Sequence, residues 1–221
     1  MKVGTDGTLL GAWAEISHRG ADPVVRILDL GTGTGLVALM MAQRFPEAQL
    51  TGIDIDGQAT CQARENVAAS PFGERISILQ ADVNTFAPGV LYDAVVCNPP
   101  YFVNSLTCPD SQRTTARHAL SLTYEQLMAA AWRLLGEEGR LSVVMPMESL
   151  SAMEAEARLR GFFPSRFCTV RTTPRKAPKR CLMEFRKHPV DEVVKQSGFI
   201  EESPGRRSQW YHELTKDFYI R

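Results

Sequence analysis

The run Asp29-Leu30-Gly31-Thr32-Gly33-Thr34-Gly35 constrains this chain more than any other stretch. It follows the apolar Val24-Val25-Arg26-Ile27-Leu28 and precedes Leu36-Val37-Ala38-Leu39-Met40-Met41-Ala42, whose apolar residues recur at helical spacing. The order is strand, glycine turn, helix. Glycine enters positive φ freely and lets backbone approach a ligand closely. The helix that starts just after it offers N–H groups without intrahelical partners, suited to a carboxylate or phosphate. A bare G-x-G-x-G is common, and its strand-to-helix setting makes it informative. Its spacing differs from the dinucleotide G-x-G-x-x-G, and it lacks the G-K-[ST] ending of a P-loop. Asp29 would face a cationic amino group better than a pyrophosphate. Asp29, Gly31, Gly33 and Gly35 are therefore candidate ligand-binding residues.

Three further strand ends follow in order. Gln49 to Ile53 is a short apolar strand ending at Asp54, whose carboxylate is placed to accept from both hydroxyls of a ribose. The competing role, N-cap of a helix from Gly57 to Ala69, fits Asp56 better. Arg75 to Asp82 reads as another strand with an acid at its end. Asp82 suits an adenine amino group, or else a helix cap or loop turn. The apolar Val95-Val96-Cys97 stops at Asn98-Pro99-Pro100-Tyr101. In a doubly wound sheet ligands bind at the carboxyl ends of strands, so Asp29, Asp54, Asp82 and Asn98 point to one site.

The fourth end carries the most chemistry. An exocyclic amine on a base, or a side-chain amide nitrogen, has a delocalised lone pair and is a poor nucleophile. The Asn98 side-chain oxygen and the Pro99 carbonyl can each accept one of its N–H bonds, drawing the nitrogen towards tetrahedral geometry. Two prolines donate no backbone hydrogen bonds, which turns their carbonyls towards a cleft. Tyr101 can stack on a flat ring. Asn-Pro is also a common turn dipeptide, so the motif alone leaves open a turn that merely ends a strand, and it leaves amide and base undecided.

A coarse pass completes the expected architecture. Thr123 to Leu135 is an amphipathic helix ended by Gly136, Gly139 to Met145 a strand, and Met147 to Arg160 a helix capped by Gly161. Two late strands, Phe162 to Arg171 and Arg180 to Lys187, suit an antiparallel hairpin at the sheet edge. The fold class is α/β: a Rossmann-like, seven-stranded, mostly parallel sheet with helices on both faces and an antiparallel C-terminal hairpin.

Over residues 24 to 187 these motifs resemble the class I S-adenosylmethionine-dependent methyltransferases, and among them the amino-methyltransferases with N/D-P-P-Y/F. Lys2-Val3-Gly4-Thr5-Asp6-Gly7-Thr8-Leu9-Leu10-Gly11-Ala12-Trp13 is similar to the opening motif of the bacterial tRNA(Val) adenine-N6 methyltransferases. Asn98 to Phe102, the polar loop with Arg113, Arg117 and His118, and Asp217-Phe218-Tyr219-Ile220 resemble that family too. The resemblance implies S-adenosylmethionine as cofactor, Thr5 and Asp6 among its contacts, and N6-methylation of an adenine in a tRNA anticodon loop. It also implies one domain over 1–221: a cofactor lid at 1–20, a catalytic core at 24–187 and a C-terminal extension at 188–221. Family members carry about two dozen further residues ahead of Met1, so a piece of the lid is expected to be missing. A release-factor glutamine methyltransferase and a ribosomal RNA guanine-N2 methyltransferase share the central motif, although the former usually has a separate N-terminal helical domain. A nucleotide-binding module without catalysis is the non-enzymatic alternative.

Composition sets limits. A 221-residue chain is long enough for a self-sufficient core. No run approaches the roughly 18 continuous apolar residues of a membrane span, and the N-terminus lacks a signal-peptide hydrophobic region, so a cytoplasmic protein without a membrane partner is expected. A monomer is the expected state. Five cysteines with no C-x-x-C pair indicate neither zinc nor a disulfide framework, and no metal is expected. The 25 basic and 25 acidic residues cancel, which is unusual for a nucleic-acid binder. Phosphate neutralisation needs only local charge, and the run from Arg171 to Arg180 holds five positive residues and no acid. Arg171, Arg175, Lys176, Lys179 and Arg180 are the candidate RNA contacts; the alternative is a solvated hairpin tip. Trp210, Tyr211, Phe218 and Tyr219, near Arg206-Arg207, recur near helical spacing and read as docking residues.

Overall fold

A computed structural model describes residues 4–17, 23–99 and 122–219. Four parallel pairings build one half of the central sheet from β1 (Val25–Leu30), β2 (Ala48–Asp54), β3 (Ile76–Gln80), β4 (Tyr92–Cys97) and β5 (Leu135–Pro146). The other half adds β6 (Phe163–Arg171), β7 (Arg180–Arg186) and β8 (Val194–Phe199), with β7 antiparallel between β5 and β6, and β8 parallel to β6. The order is β3-β2-β1-β4-β5-β7-β6-β8. It reverses at β1, which opens a crevice at the carboxyl ends of β1 and β4.

Alternate residues on each strand feed two cores, the pattern expected of a sheet covered on both faces. Ile27, Val96, Val144 and Leu182 face α1 (Thr5–Trp13), α2 (Leu36–Arg44) and α3 (Gly57–Ala68). Leu28, Val95, Val143 and Met183 face α4 (Tyr124–Leu134) and α5 (Leu150–Arg160). Helix boundaries follow the local signals. Asp56 Oδ1 accepts from Gln58 N at 2.8 Å and so caps α3. Thr123 and Gln126 exchange the two hydrogen bonds of a capping box at α4. Gly161, at φ 90°, ends α5.

Two expectations need correction. Among the described residues the sheet has eight strands, not seven. The additional strand, β8, is an edge strand whose first four residues are exposed, so it lacks the apolar alternation that reveals strands. Its Gly198 lies beneath the Trp210 ring, where an added Cβ would be 2.3 Å from ring carbons. The strand expected from Gly139 already begins at Leu135. From Asp6 to Trp13 every residue of α1 is buried, packed against α2, β5 and α6 (Gln209–Thr215). Gly11 permits that approach, since a Cβ there would sit 2.9 Å from Met40 Cβ and Sδ. As expected, Tyr211 is buried, and Trp210 and Tyr219 pack against the same core.

Candidate functional site

Backbone geometry builds the first wall of the site. Gly31, Gly33 and Gly35 have φ of 69°, 57° and 81°, so each turns where an L side chain would be strained. The N–H groups of Gly31 and Thr32 both donate to Ile53 O at 2.9 Å, fastening the turn to the end of β2. Around the Cβ positions of Gly31 and Gly33 there is open space to 4 Å. Gly35 instead faces Ala63 Cβ at 3.4 Å and opens α2. The first two glycines thus border a cleft and the third packs the turn onto α3.

The carboxylates divide their work. Asp29 is 2% exposed and lies under the turn, its Oδ2 accepting from Thr32 Oγ1 at 2.7 Å and from Ala38 N at 3.1 Å. Burial raises its pKa to about 6; these two hydrogen bonds oppose the rise and the charge of Asp54 adds to it. Asp54 is half-buried at the end of β2. Its Oδ2 accepts from Gly33 N at 2.9 Å and its Oδ1 from Asp56 N at 3.0 Å, leaving lone pairs on both oxygens for a further donor. Asp82 Oδ1 accepts from the backbone and side chain of Asn84 at 2.9 and 2.8 Å, so the local turn considered for it does form.

Register brings these groups together. Leu30 of β1 is paired with Ile53 of β2 and with Cys97 of β4. The next residue on each strand is Gly31, Asp54 and Asn98 respectively, so the turn is flanked by the acid and the amide. Asn98 is half-buried and Pro99 buried; Pro100 and Tyr101 lie outside the described residues, as do Arg113, Arg117 and His118. The α1 helix closes the side of this cleft: a Cβ on Gly7 would meet Leu36 Cδ2 at 3.2 Å and Asn98 Nδ2 at 3.9 Å. Thr5 is exposed at the head of α1, and buried Asp6 forms an ion pair with Arg180 Nε. Cys97 supplies no nucleophile, because burial, with the charges of Asp29 and Asp54, pushes its thiol well above the ordinary range.

Pro146 at the carboxyl end of β5 is opposite Arg180 at the start of β7. The loop from 172 to 179 therefore stands on the same edge of the sheet as the glycine turn and Asn98. Arg175, Lys176 and Lys179 are exposed there, Arg171 is half-buried, and Arg180 is engaged with Asp6. Within the sheet, on β7 opposite Ser142, fully buried Glu184 accepts from Ser165 Oγ at 2.7 Å and pairs with Arg140 and Arg166 at 3.3 and 3.2 Å. Arg166 also stacks on Trp13 at 4.1 Å, and Trp13 Nε1 donates to Gln196 Oε1 at 2.9 Å. Sequence reasoning missed the packing role of Gly7, the part played by Thr32 and this charge cluster. The four-residue spacing of Gly7 and Gly11 was a usable sign of close helix packing; nothing local marks Glu184.

Residues 16–165 match the methyltransferase small domain family. A predicted O-methyltransferase from Agrobacterium tumefaciens superposes with a TM-score of 0.68 at 21% identity, covering 98% of each chain. The glycopeptide N-methyltransferase MtfA bound to S-adenosylmethionine superposes at 0.55 with 14% identity over 76% of this chain and 90% of that one. Fold and strand-end site thus define a class I S-adenosylmethionine-dependent methyltransferase. The tRNA1(Val) (adenine(37)-N6)-methyltransferase of Bacteroides fragilis is 44% identical, over 100% of this chain and 92% of its own length. Its counterpart in Vibrio parahaemolyticus is 39% identical over 100% and 90%. The chain belongs to this family.

The residues present fit the cofactor. Open space over Gly31 and Gly33 admits a ligand against the backbone, and half-buried Asp54 retains acceptor capacity for ribose hydroxyls. Among the described residues no His, Cys, Asp and Glu cluster could hold a metal, and no helix is long and apolar enough to cross a membrane.

Proposed function

We infer that this protein methylates N6 of an adenine in tRNA, at position 37 of tRNA1(Val) as its relatives' names state. The observation that carries the inference is the register that sets Asn98 beside Gly31 and Asp54, an amine-holding amide next to a cofactor turn. Bound S-adenosylmethionine supplies an electrophilic methyl group on a sulfonium. Asn98 Oδ1 and the Pro99 carbonyl accept the two amine hydrogens of the adenine and turn its lone pair outward. Tyr101 stacks on the base, which an anticodon loop yields at modest unstacking cost. Asp54 binds the ribose; Gly31, Gly33 and Gly35 shape the turn, Asp29 braces it from below, and Asp82 borders the adenine. Thr5 and Asp6 belong to the segment at 1–20 that covers the cofactor, with 24–187 as the catalytic core and 188–221 as an extension of the same domain.

The exposed Arg175, Lys176 and Lys179 stand on the site's own edge and are read as phosphate contacts beside Arg171. A chain with this substrate works in the cytoplasm, and a monomer suffices for the chemistry proposed. Incubation with methyl-labelled S-adenosylmethionine and tRNA1(Val) transcript, followed by nucleoside digestion, tests the reading. Label is expected as N6-methyladenosine, and lost when adenine 37 is replaced by guanine. Label on a release-factor glutamine, or on guanine N2 of ribosomal RNA, would overturn it.

A further inference from the structure

Helix α1 turns its Gly7 towards Leu36, the first residue after the glycine turn, and towards the Asn98 amide, leaving room for no more than a methyl group: a Cβ there would lie 3.2 Å from Leu36 Cδ2 and 3.9 Å from Asn98 Nδ2. Its placement therefore sets the width of the cofactor cleft, and something must hold it there. Gly4 caps the helix without a side-chain hydrogen bond, so no side chain of the N-cap fixes its first turn. At the far end, Arg166 stacks on Trp13, Gln196 accepts from the indole, and Arg44 Nη1 donates to Gly11 O at 3.0 Å. At the cleft end one anchor is the ion pair of Asp6 with Arg180, whose Oδ1 and Nε are both shielded from solvent. Arg180 is fixed in turn by the pairing of β7 with β5, opposite Pro146.

We propose that Arg180 is a positioning residue for the cofactor site rather than an RNA contact: through Asp6 it holds α1 against the glycine turn and Asn98. Its neighbours differ in this respect. Arg175, Lys176 and Lys179 are exposed, whereas the Arg180 side chain is 32% exposed and directed to a carboxylate that is 11% exposed. A shielded carboxylate that loses a charged partner is driven to rearrange around the partners it keeps or to move towards water. Movement of Asp6 carries Gly7 with it, because the two are adjacent on one rigid turn. The expected loss is thus in S-adenosylmethionine binding, and it requires no RNA. The proposal rests on the cofactor site assigned above.

Calorimetric titration of the full chain with S-adenosylmethionine, without tRNA, tests it. Arg180→Ala should weaken binding about tenfold, within the usual range of coupling between sites, and Arg180→Lys by less, since the ammonium preserves the charge but not the planar fork. The charge-exchanged pair Asp6→Arg with Arg180→Asp should recover most of the affinity, a result that a direct contact of Asp6 with the cofactor would not give. Lys179→Ala should leave S-adenosylmethionine affinity intact and reduce the salt dependence of tRNA binding, while Arg180→Ala leaves that salt slope unchanged. Unaltered cofactor affinity in Arg180→Ala, or no recovery in a folded charge-exchanged variant, overturns the proposal. Should Arg180→Ala fail to fold, Arg180→Lys and the exchanged pair carry the same decision. Asp54→Ala is the control: if it too binds normally, the cofactor site itself has been misplaced.

Discussion

The two halves of the sheet are organised by different physics. Between β2 and β4, three glycines at positive φ and a ladder of backbone hydrogen bonds place N–H groups, Asp54 and Asn98 around one cleft. Between β5 and β8 the strands pair by backbone too, and charged side chains add a second set of ties: Glu184 among its arginines, Trp13 on Arg166, Asp6 with Arg180. Backbone-built geometry costs little to keep and is specific to chemistry. An ion cluster is different, since each charge is tolerable only while its partners remain. Damage in the first half should therefore appear in binding and turnover, and damage to the Glu184 cluster in stability; the Asp6–Arg180 pair, which bears on α1, belongs in its effects with the first half.

The largest effect expected is on the ion cluster. Glu184→Ala leaves Arg140 and Arg166 facing each other without their carboxylate, and should destabilise the fold by about 3–5 kcal/mol. Denaturant unfolding measures it; a loss below about 1 kcal/mol would break the comparison. Next is Asn98→Ala, expected to lower turnover by roughly 10²–10³-fold, the usual cost of one preorganised polar contact. Its melting temperature and cofactor affinity should stay close to wild type, and single-turnover kinetics with calorimetry would reveal the opposite.

Asp29 sharpens the contrast because it lies on the backbone-built side yet titrates like a buried charge. Its carboxyl moves from 3.8 to about 6 on folding, chiefly through burial. The folded state then binds more protons between these values, so this group's contribution to stability rises as pH falls from 6 to 3.8. The amplitude is about 3 kcal/mol. Asp29→Asn should flatten that part of the stability–pH curve, and an unchanged curve would refute the assignment. The ionised acid accepts from Thr32 and Ala38 and so braces the turn. Wild-type cofactor affinity should therefore decline as pH falls below about 6, and the Asp29→Asn variant should lose that pH dependence. The smallest effect belongs to the exposed loop. Replacing Arg175, Lys176 and Lys179 by alanine should reduce the slope of log affinity for tRNA against log salt by roughly 0.7–0.9 per lost phosphate contact. Stability should not change.

The same division explains what could be read in advance. Glycine turns, strand-end acids and helix caps are local, so the turn at Gly31 to Gly35, Asp54 at the end of β2 and the Asp56 cap are all visible as short motifs. Asn98 is legible for the same reason. Glu184 and Arg180 resemble any other charged residues in a β-hairpin, because their partners come from other strands or from α1. The course of α1 was hidden by its composition: a helix covered on all sides carries no polar face to give it a period. β8 was hidden for the converse reason, being an exposed edge with little to bury.

The burial of α1 has a consequence for the order in which the molecule is assembled. This helix leaves the ribosome well before Arg166, Arg180, Gln196 and α6, which hold it. Closing so long a loop is slow compared with forming the local βαβ units around the glycine turn. The side of the cleft beside Asn98 that α1 forms is therefore completed only when α1 meets these late segments, and on the role proposed for α1 tight cofactor binding is expected to wait for their synthesis.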